Sequence, residues 1–120
     1  MPGAGYEVSR VGGLPVIATP AEIDVSNAAE FRQALLSCAN GSDPALLVDM
    51  SETVFCDSTG LHQLVQARAR AIAAGGEVLL VIRAATVLRL FAIMGVERLF
   101  PVFGSLEEAV ASAPSPGAAP

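Results

Sequence analysis

The sequence predicts an α/β fold in which about four helices pack against a small, mixed and mostly parallel sheet, in the order β-β-α-β-α-β-α-β-α. Two apolar runs that contain one acid each, Ala45–Met50 (ALLVDM) and Glu77–Ile82 (EVLLVI), suit strands that are buried on both faces between parallel neighbours. Segments with helical periodicity that end at glycines separate these runs. The 120 residues are 52% hydrophobic but only 5% aromatic, so we expect a core of Val, Leu, Ile and Ala.

The N-terminal part is predicted to form a β-hairpin. Residues 6–10 and 16–19 have the composition of short strands, and Gly12-Gly13 between them is a tight-turn signal. Pro15 lacks an amide proton, which favours a position at the edge of the sheet for this hairpin.

The first helix is predicted to follow Asp24. Asn27 and Glu30 have the spacing of a capping box, and Ser26 is a second possible cap. Three side chains recur at helical spacing and should face the core: Phe31, Leu35 and Cys38. Asn40-Gly41 is the expected end of this helix.

Three more helices and a last strand are predicted downstream. A helix over 58–74 is closed by Gly75-Gly76, and a helix over 85–94 ends at Gly95. Residues 98–103, interrupted by a proline, suit an edge strand, and Ser105 with Glu108 opens a short final helix. Four apolar residues are assigned to the core face of the 58–74 helix: Leu61, Leu64, Val65 and Ile72. Arg68 falls on the same face, where a charged side chain is unexpected.

The predicted domain covers 6–112, between a flexible N-terminus at 1–5 and a disordered, Pro- and Ala-rich tail at 113–120. The net charge of −5 and the lack of a basic patch argue against direct binding to nucleic acid or to an anionic membrane. No apolar run approaches the length of a membrane span. Cys38 and Cys56 are expected to be reduced thiols in a cytoplasmic protein, because no signal sequence and no Cys/His cluster for zinc is seen.

The segment VFCDSTGLHQLV after the first buried strand contains the most informative chemistry. Ser58 falls at or next to the N-cap of the following helix, where the first amides have no partner inside the helix. A phosphate on Ser58 could accept hydrogen bonds from those amides and would add about −1.5 to −2 charges beside Asp57. Taken alone, a serine at this place is usually just a helix cap.

The wider pattern resembles the STAS-domain family of anti-sigma factor antagonists over residues 6–111. The matching motifs are Asp49-Met50-Ser51, Asp57-Ser58-Thr59-Gly60-Leu61 and Gly75-Gly76, preceded by Ala21-Glu22-Ile23-Asp24 and followed by 87–91 and 94–96. Ala21 stands where that family has glycine, so the conformation of the loop before the first helix is expected to differ from the family's.

This resemblance implies a partner-switching protein without a cofactor or catalytic activity of its own. The unphosphorylated form would bind an anti-sigma factor that is a serine kinase, and so release a sigma factor. Phosphorylation of Ser58, or secondarily of Thr59, would end binding, and a PP2C-type phosphatase would reset the cycle. Asp24 and Asp57 would flank the serine, and Gly60, Leu61 and His62 would complete the partner-binding surface. The free protein is expected to be a monomer.

Three other interpretations remain open in the sequence. His62 lies four residues after Ser58, but no orienting acid or oxyanion hole accompanies this pair, so we expect no hydrolase. Cys38 and Cys56 are candidates for a redox gate, although neither has a sign of a lowered pKa. The main alternative is a non-catalytic STAS scaffold in a stress-signalling or lipid-transport complex.

Overall fold

A computed structural model of the chain describes residues 5–38 and 43–114. The elements in chain order are β1 (Glu7–Val11), β2 (Leu14–Ala18), β3 (Glu22–Ile23), α1 (Ala28–Ser37), β4 (Ala45–Met50), β5 (Phe55–Cys56), α2 (Ser58–Ala73), β6 (Glu77–Ile82), α3 (Ala85–Ile93), β7 (Val102–Phe103) and α4 (Leu106–Ser112). A 3-10 turn at Glu97–Leu99 lies between α3 and β7.

The main sheet has five strands in the order β1-β2-β4-β6-β7. The β1–β2 hairpin is antiparallel and all other pairs are parallel, so the predicted mixed, mostly parallel α/β fold is confirmed. The hairpin lies at one edge of the sheet, as predicted from Pro15, with β1 as the edge strand and β2 as its inner neighbour. Pro15 is tolerated because β2 pairs with β4 only from Val16 onward, so its missing amide proton is not required.

The helices cover the two faces of the sheet unequally. The larger core joins one face to α1, α2 and α3, with Phe31, Leu64 and Phe91 among its fully buried side chains. The opposite face packs against α4 through Ala109. Among the described residues, no helix is both long enough and apolar enough to cross a membrane.

A second, two-stranded parallel sheet was not predicted. β3 pairs with β5 so that Ile23 lies opposite Cys56. The Asp57 amide donates to the Ile23 carbonyl at 3.0 Å, and the Val54 amide donates to the Ala21 carbonyl at 2.8 Å. These bonds fasten the segment before α1 to the segment before α2, although Ala21 stands at the position of the family glycine.

Two predictions about helix faces and the last strand were wrong. Ile72 is 51% exposed, and the buried face of α2 instead consists of Gly60, Leu61, Leu64 and Ala67. This rotation brings Arg68 to the rim of the core, where its Nε donates to the Leu99 carbonyl at 2.7 Å. Of the predicted strand at 98–103 only Val102–Phe103 is a strand, because the preceding residues form the 3-10 turn.

The capping box predicted for α1 is also wrong, although Asn27 is the N-cap residue. Its side chain makes no capping bond, because Oδ1 accepts from the Asp24 amide and the Tyr6 hydroxyl while Nδ2 donates to the Glu22 carbonyl. The side chain therefore braces the loop before the helix. α1 ends at Ser37; the predicted stop at Asn40-Gly41 lies outside the described residues, as do residues 1–4 and 115–120 of the predicted termini.

Candidate functional site

The site lies where the chain leaves β4, passes through β5 and enters α2. Asp57 is the N-cap of α2, and its Oδ1 accepts from the amides of Thr59 at 3.0 Å and Gly60 at 3.1 Å. Desolvation acts to raise the pKa of Asp57, but bonds from the Thr59 hydroxyl and the amides of Gly60, Thr59 and Val25 outweigh it and lower the pKa. Asp57 is therefore a carboxylate at neutral pH.

Ser58 is the first residue of α2, and its side chain is exposed. Within the described ranges its hydroxyl has no hydrogen-bond partner. Thr59, in contrast, donates its hydroxyl to Asp57 Oδ1 and is only half-exposed. Of the two hydroxyls, Ser58 is consequently the one that a partner can reach without breaking an internal bond.

Two of the first helix amides, which a phosphate on Ser58 was expected to bond, already have a partner. Asp57 already occupies the amides of Thr59 and Gly60 through one oxygen. A phosphate on Ser58 would therefore compete with an existing carboxylate rather than fill an empty anion site. Its charge would remain at the surface, next to that of Asp57.

Gly60 allows a close approach, as its residue type suggests, but the approaching groups are side chains. A Cβ at this position would lie 2.5 Å from Ile23 Cγ2 and 2.9 Å from Cys56 Sγ. The start of α2 is thus pressed directly onto the β3–β5 sheet. Leu61, predicted to contact the partner, is only 3% exposed and belongs to the core.

Asp24 is brought to the same end of the molecule by the pairing of β3 with β5, since Ile23 and Cys56 are register partners. Its Oδ1 accepts from the Ser26 amide at 2.9 Å and from the Ser26 hydroxyl. Burial is the main cause that raises the pKa of Tyr6. Electrostatic interactions with nearby groups raise this pKa further, and these groups include Asp24 and Asp57. The two aspartates predicted to flank Ser58 therefore share one acidic neighbourhood.

An open cleft of about 530 Å³ runs beside the start of α2, lined by Ser58 and His62 together with Met94 and Val96. Several apolar side chains around this end of the fold are exposed: Val25, Val54, Phe55 and Met94. Sequence analysis missed this apolar rim, and the only signal was the pair Val54-Phe55 in an otherwise polar loop. Ser58 and His62 line the same cleft, but no hydrogen bond joins them in the part of the chain that the structure describes.

The two thiols lie near opposite ends of α1, since Cys56 pairs with Ile23 just before this helix and Cys38 is its C-cap. Cys56 is buried beside the start of α2, and its pKa is raised to about 12, first by desolvation and then by Asp57. Cys38 is the C-cap of α1, so the length of this ten-residue helix, about 15 Å, separates it from the end at which Cys56 lies. Burial raises the pKa of Cys38 as well. A disulfide requires Cα atoms roughly 4.4–6.8 Å apart, so this geometry argues against an intramolecular bridge.

Among residues 5–38 and 43–114, no group of three or more His, Cys, Asp or Glu side chains could hold a metal ion. The site therefore consists of a hydroxyl, flanking carboxylates and an apolar rim. Such a set suits recognition by another macromolecule and modification of the hydroxyl.

The sheet topology and the serine at the β5–α2 junction define an α/β domain with a polar site in the connection from β4 to α2. The family model described as STAS domain matches residues 6–109, and the chain belongs to the STAS domain family. No curated protein matches the sequence significantly.

Solved structures resemble this chain over most of its length. An anti-sigma factor antagonist from Mycobacterium paratuberculosis is 27% identical, with a TM-score of 0.81 over 89% of this chain and 91% of that one. The Bacillus cell fate determinant SpoIIAA in its phosphorylated form is 18% identical, with a TM-score of 0.68 over 88% and 96%. The murine anion transporter Slc26a9 is 24% identical, with a TM-score of 0.67, and 86% of this chain covers only 18% of that one.

Proposed function

We propose that this chain is an anti-sigma factor antagonist whose binding to an anti-sigma factor is ended by phosphorylation of Ser58. The observation that supports this most directly is the exposed Ser58 hydroxyl, which has no internal partner within the described residues and is held at the start of a rigid helix by the Asp57 cap. The anti-sigma factor antagonist from Mycobacterium paratuberculosis has the same fold over nearly its whole length.

The unphosphorylated surface combines apolar and polar groups in one place. Val54 and Phe55 are 58% and 49% exposed, and Met94 lines the same cleft as Ser58. Exposed apolar side chains surrounded by polar groups are typical of protein-binding surfaces. The partner would bury this rim and contact the neutral hydroxyl at its centre.

Phosphorylation would act through charge rather than through a change of fold. It adds about −1.5 to −2 charges next to the ionised Asp57 and in the same region as Asp24. Because Asp57 already bonds the Thr59 and Gly60 amides, the new charge is not neutralised inside the helix. A partner surface fitted to the neutral hydroxyl would have to desolvate this charge, which costs several kcal/mol when like charges also meet.

The remaining parts of the cycle lie in other proteins. The partner is an anti-sigma factor that is also a serine kinase, so ATP and magnesium belong to it, and a PP2C-type phosphatase removes the phosphate. The antagonist would work in the cytoplasm, as a monomer when free, and without catalytic activity. SpoIIAA, which has the same fold, has been solved in a phosphorylated form.

Affinity capture with the full chain from its native lysate tests the proposal. Wild type, Ser58→Ala and Ser58→Asp are compared, and bound proteins are identified by mass spectrometry. We expect wild type and Ser58→Ala to retain a kinase-type anti-sigma factor and Ser58→Asp to retain at least tenfold less. The isolated partner with ATP should phosphorylate wild type at Ser58 and leave Ser58→Ala unmodified.

Ser9→Asp is the matched control, because it adds the same charge to an exposed serine of the edge strand β1. It should bind like wild type. A stable complex that is indifferent to Ser58→Asp would favour the scaffold interpretation and contradict the switch. Hydrolysis of a generic ester that disappears in both Ser58→Ala and His62→Gln would contradict the assignment of a purely binding role.

A further inference from the structure

A cavity of about 320 Å³ lies at the opposite end of the sheet from Ser58. It is bounded by the last turns of α1 and α2 and by the first residues of β4 and β6. The space exists because α2 presents short side chains there, Ala67, Ala71 and Ala74, opposite Ala45 at the start of β4. Its size is that of a small-molecule site, and its lining is mostly apolar.

Two charged side chains of this cavity have buried polar atoms without a partner among residues 5–38 and 43–114. These atoms are Nε and Nη2 of Arg70 and Oδ2 of Asp43. Both residues line the cavity. Buried polar atoms are nearly always hydrogen-bonded to protein or to ordered water, so these three atoms around a single cavity are free to bond water or a ligand that displaces it.

The two side chains do not satisfy each other. No ion pair within 4.0 Å joins Arg70 to Asp43 in the part of the chain that is described, where the one salt bridge found links Asp43 Oδ1 to Arg10 at 2.6 Å. One carboxylate oxygen of Asp43 is thus paired with Arg10. Its second oxygen remains available as an acceptor.

The chemistry of these atoms defines the ligand. Nε–H and one Nη2–H point from the same edge of a guanidinium group, and this pair of donors matches the two oxygens of a carboxylate. Asp43 Oδ2 accepts a hydrogen bond, so it suits a hydroxyl or another donor. The alanines between them suit an aliphatic body.

We propose that this cavity binds a small amphipathic carboxylate that has an aliphatic chain and a hydrogen-bond donor at its other end. Its carboxylate would bond the Nε/Nη2 edge of Arg70, and its donor would reach Asp43. Arg70 lies twelve residues after Ser58, about 18 Å along α2, so this site is separate from the proposed switch and does not depend on it.

The test is a titration of the full chain followed by amide chemical shifts in nitrogen-15 NMR spectra. Three matched probes are 8-hydroxyoctanoate, octanoate and 8-hydroxyoctanamide. We expect saturable binding of 8-hydroxyoctanoate with a Kd on the order of a millimolar, as ligands of this size allow. Shifts should centre on Leu35, Leu46 and Gly76, with several-fold weaker binding of octanoate and at least tenfold weaker binding of the amide.

Variants connect the binding to the assigned atoms. Arg70→Gln should weaken 8-hydroxyoctanoate at least tenfold, and Arg32→Gln, which alters an exposed arginine of α1, should leave it unchanged. Ala71→Leu should fill the cavity and abolish binding, with the spectrum confirming the fold. The absence of saturable shifts, equal binding of the amide, shifts centred elsewhere, or an unaffected Arg70→Gln variant would each overturn the proposal.

Discussion

Gly60→Ala tests whether the entrance of α2 is fixed by direct contact with the small sheet. The backbone of Gly60 is not in the left-handed region, so an alanine is tolerated conformationally and only space opposes it. The added Cβ would lie 2.5 Å from Ile23 Cγ2, a side chain with no exposed surface, and 2.9 Å from Cys56 Sγ. Something in this packed region must therefore move.

The expected magnitude follows from two opposing effects. Overpacking of a filled core costs about 1–3 kcal/mol, whereas alanine in place of glycine in a helix gains up to about 1 kcal/mol. Because Ile23 is held by β3–β5 hydrogen bonds, we expect a net loss of about 2 kcal/mol. This corresponds to a fall in Tm of roughly 10 °C for a domain of this size, measurable by urea unfolding and calorimetry.

A double-mutant cycle identifies the clash. Ile23→Leu keeps the volume but removes the branch at Cβ, so combined with Gly60→Ala it should recover a large part of the lost stability. Gly104→Ala is the control, because a Cβ there meets only Glu108 Oε1 at 3.4 Å, and it should change stability by less than about 0.5 kcal/mol. Wild-type stability in Gly60→Ala, or no recovery with Ile23→Leu, would refute the contact argument.

Three further predictions concern the cap, a buried hydroxyl pair and the thiols. The pKa of Asp57 is lower in the folded protein than in the unfolded chain, so its ionised form stabilises the fold at pH values above the unfolded-state pKa. This stabilisation is lost as the pH falls through the pKa of the folded protein. The stability advantage of wild type over Asp57→Asn should thus be constant at neutral pH and shrink below about pH 4 in urea titrations; a pH-independent difference would contradict this. Thr53→Val should cost about 1–3 kcal/mol, because it leaves the buried Thr19 hydroxyl without its 2.6 Å partner, and Thr53→Ser should cost clearly less; equal losses would point to packing instead. Under native conditions Cys38 should react with a thiol reagent faster than Cys56, which is 6% exposed, and oxidation should give no intramolecular disulfide by mass analysis. Faster labelling of Cys56, or such a bridge, would contradict the structure.

The site was predictable in part because its key residue is fixed by local chemistry. Asp57 followed by Ser58, Thr59 and Gly60 after an apolar run predicts a helix entrance, and the structure places the entrance there. Which residue caps the helix was not predictable, because Asp, Ser and Thr all suit an N-cap. Only the three-dimensional contacts show that Asp57 takes that role and leaves the hydroxyl of Ser58 at the surface.

The missed features depend on contacts between distant segments. Strands of two residues, such as β3 and β5, have no periodicity that a sequence pattern could detect, and they form because the β3 and β5 segments meet side by side. Ile72 was assigned to the core from its spacing, but the face of α2 that packs inward carries Gly60, Leu61, Leu64 and Ala67, and Ile72 is exposed. The Asn27 side chain braces a loop because Tyr6 and Glu22 are within reach, which the capping pattern could not reveal.

The sequence alone determined the order of the four helices and the five strands of the main sheet, the mixed character of that sheet and its two central strands, because burial on both faces requires mainly apolar runs such as ALLVDM and EVLLVI. It also placed Ser58 beside a helix entrance. The tertiary structure alone decided which side chains meet: the apolar rim around Ser58, the Asp57 cap and the cavity with its unpaired Arg70. These features join segments up to tens of residues apart, and their geometry arises only when the sheet and helices pack.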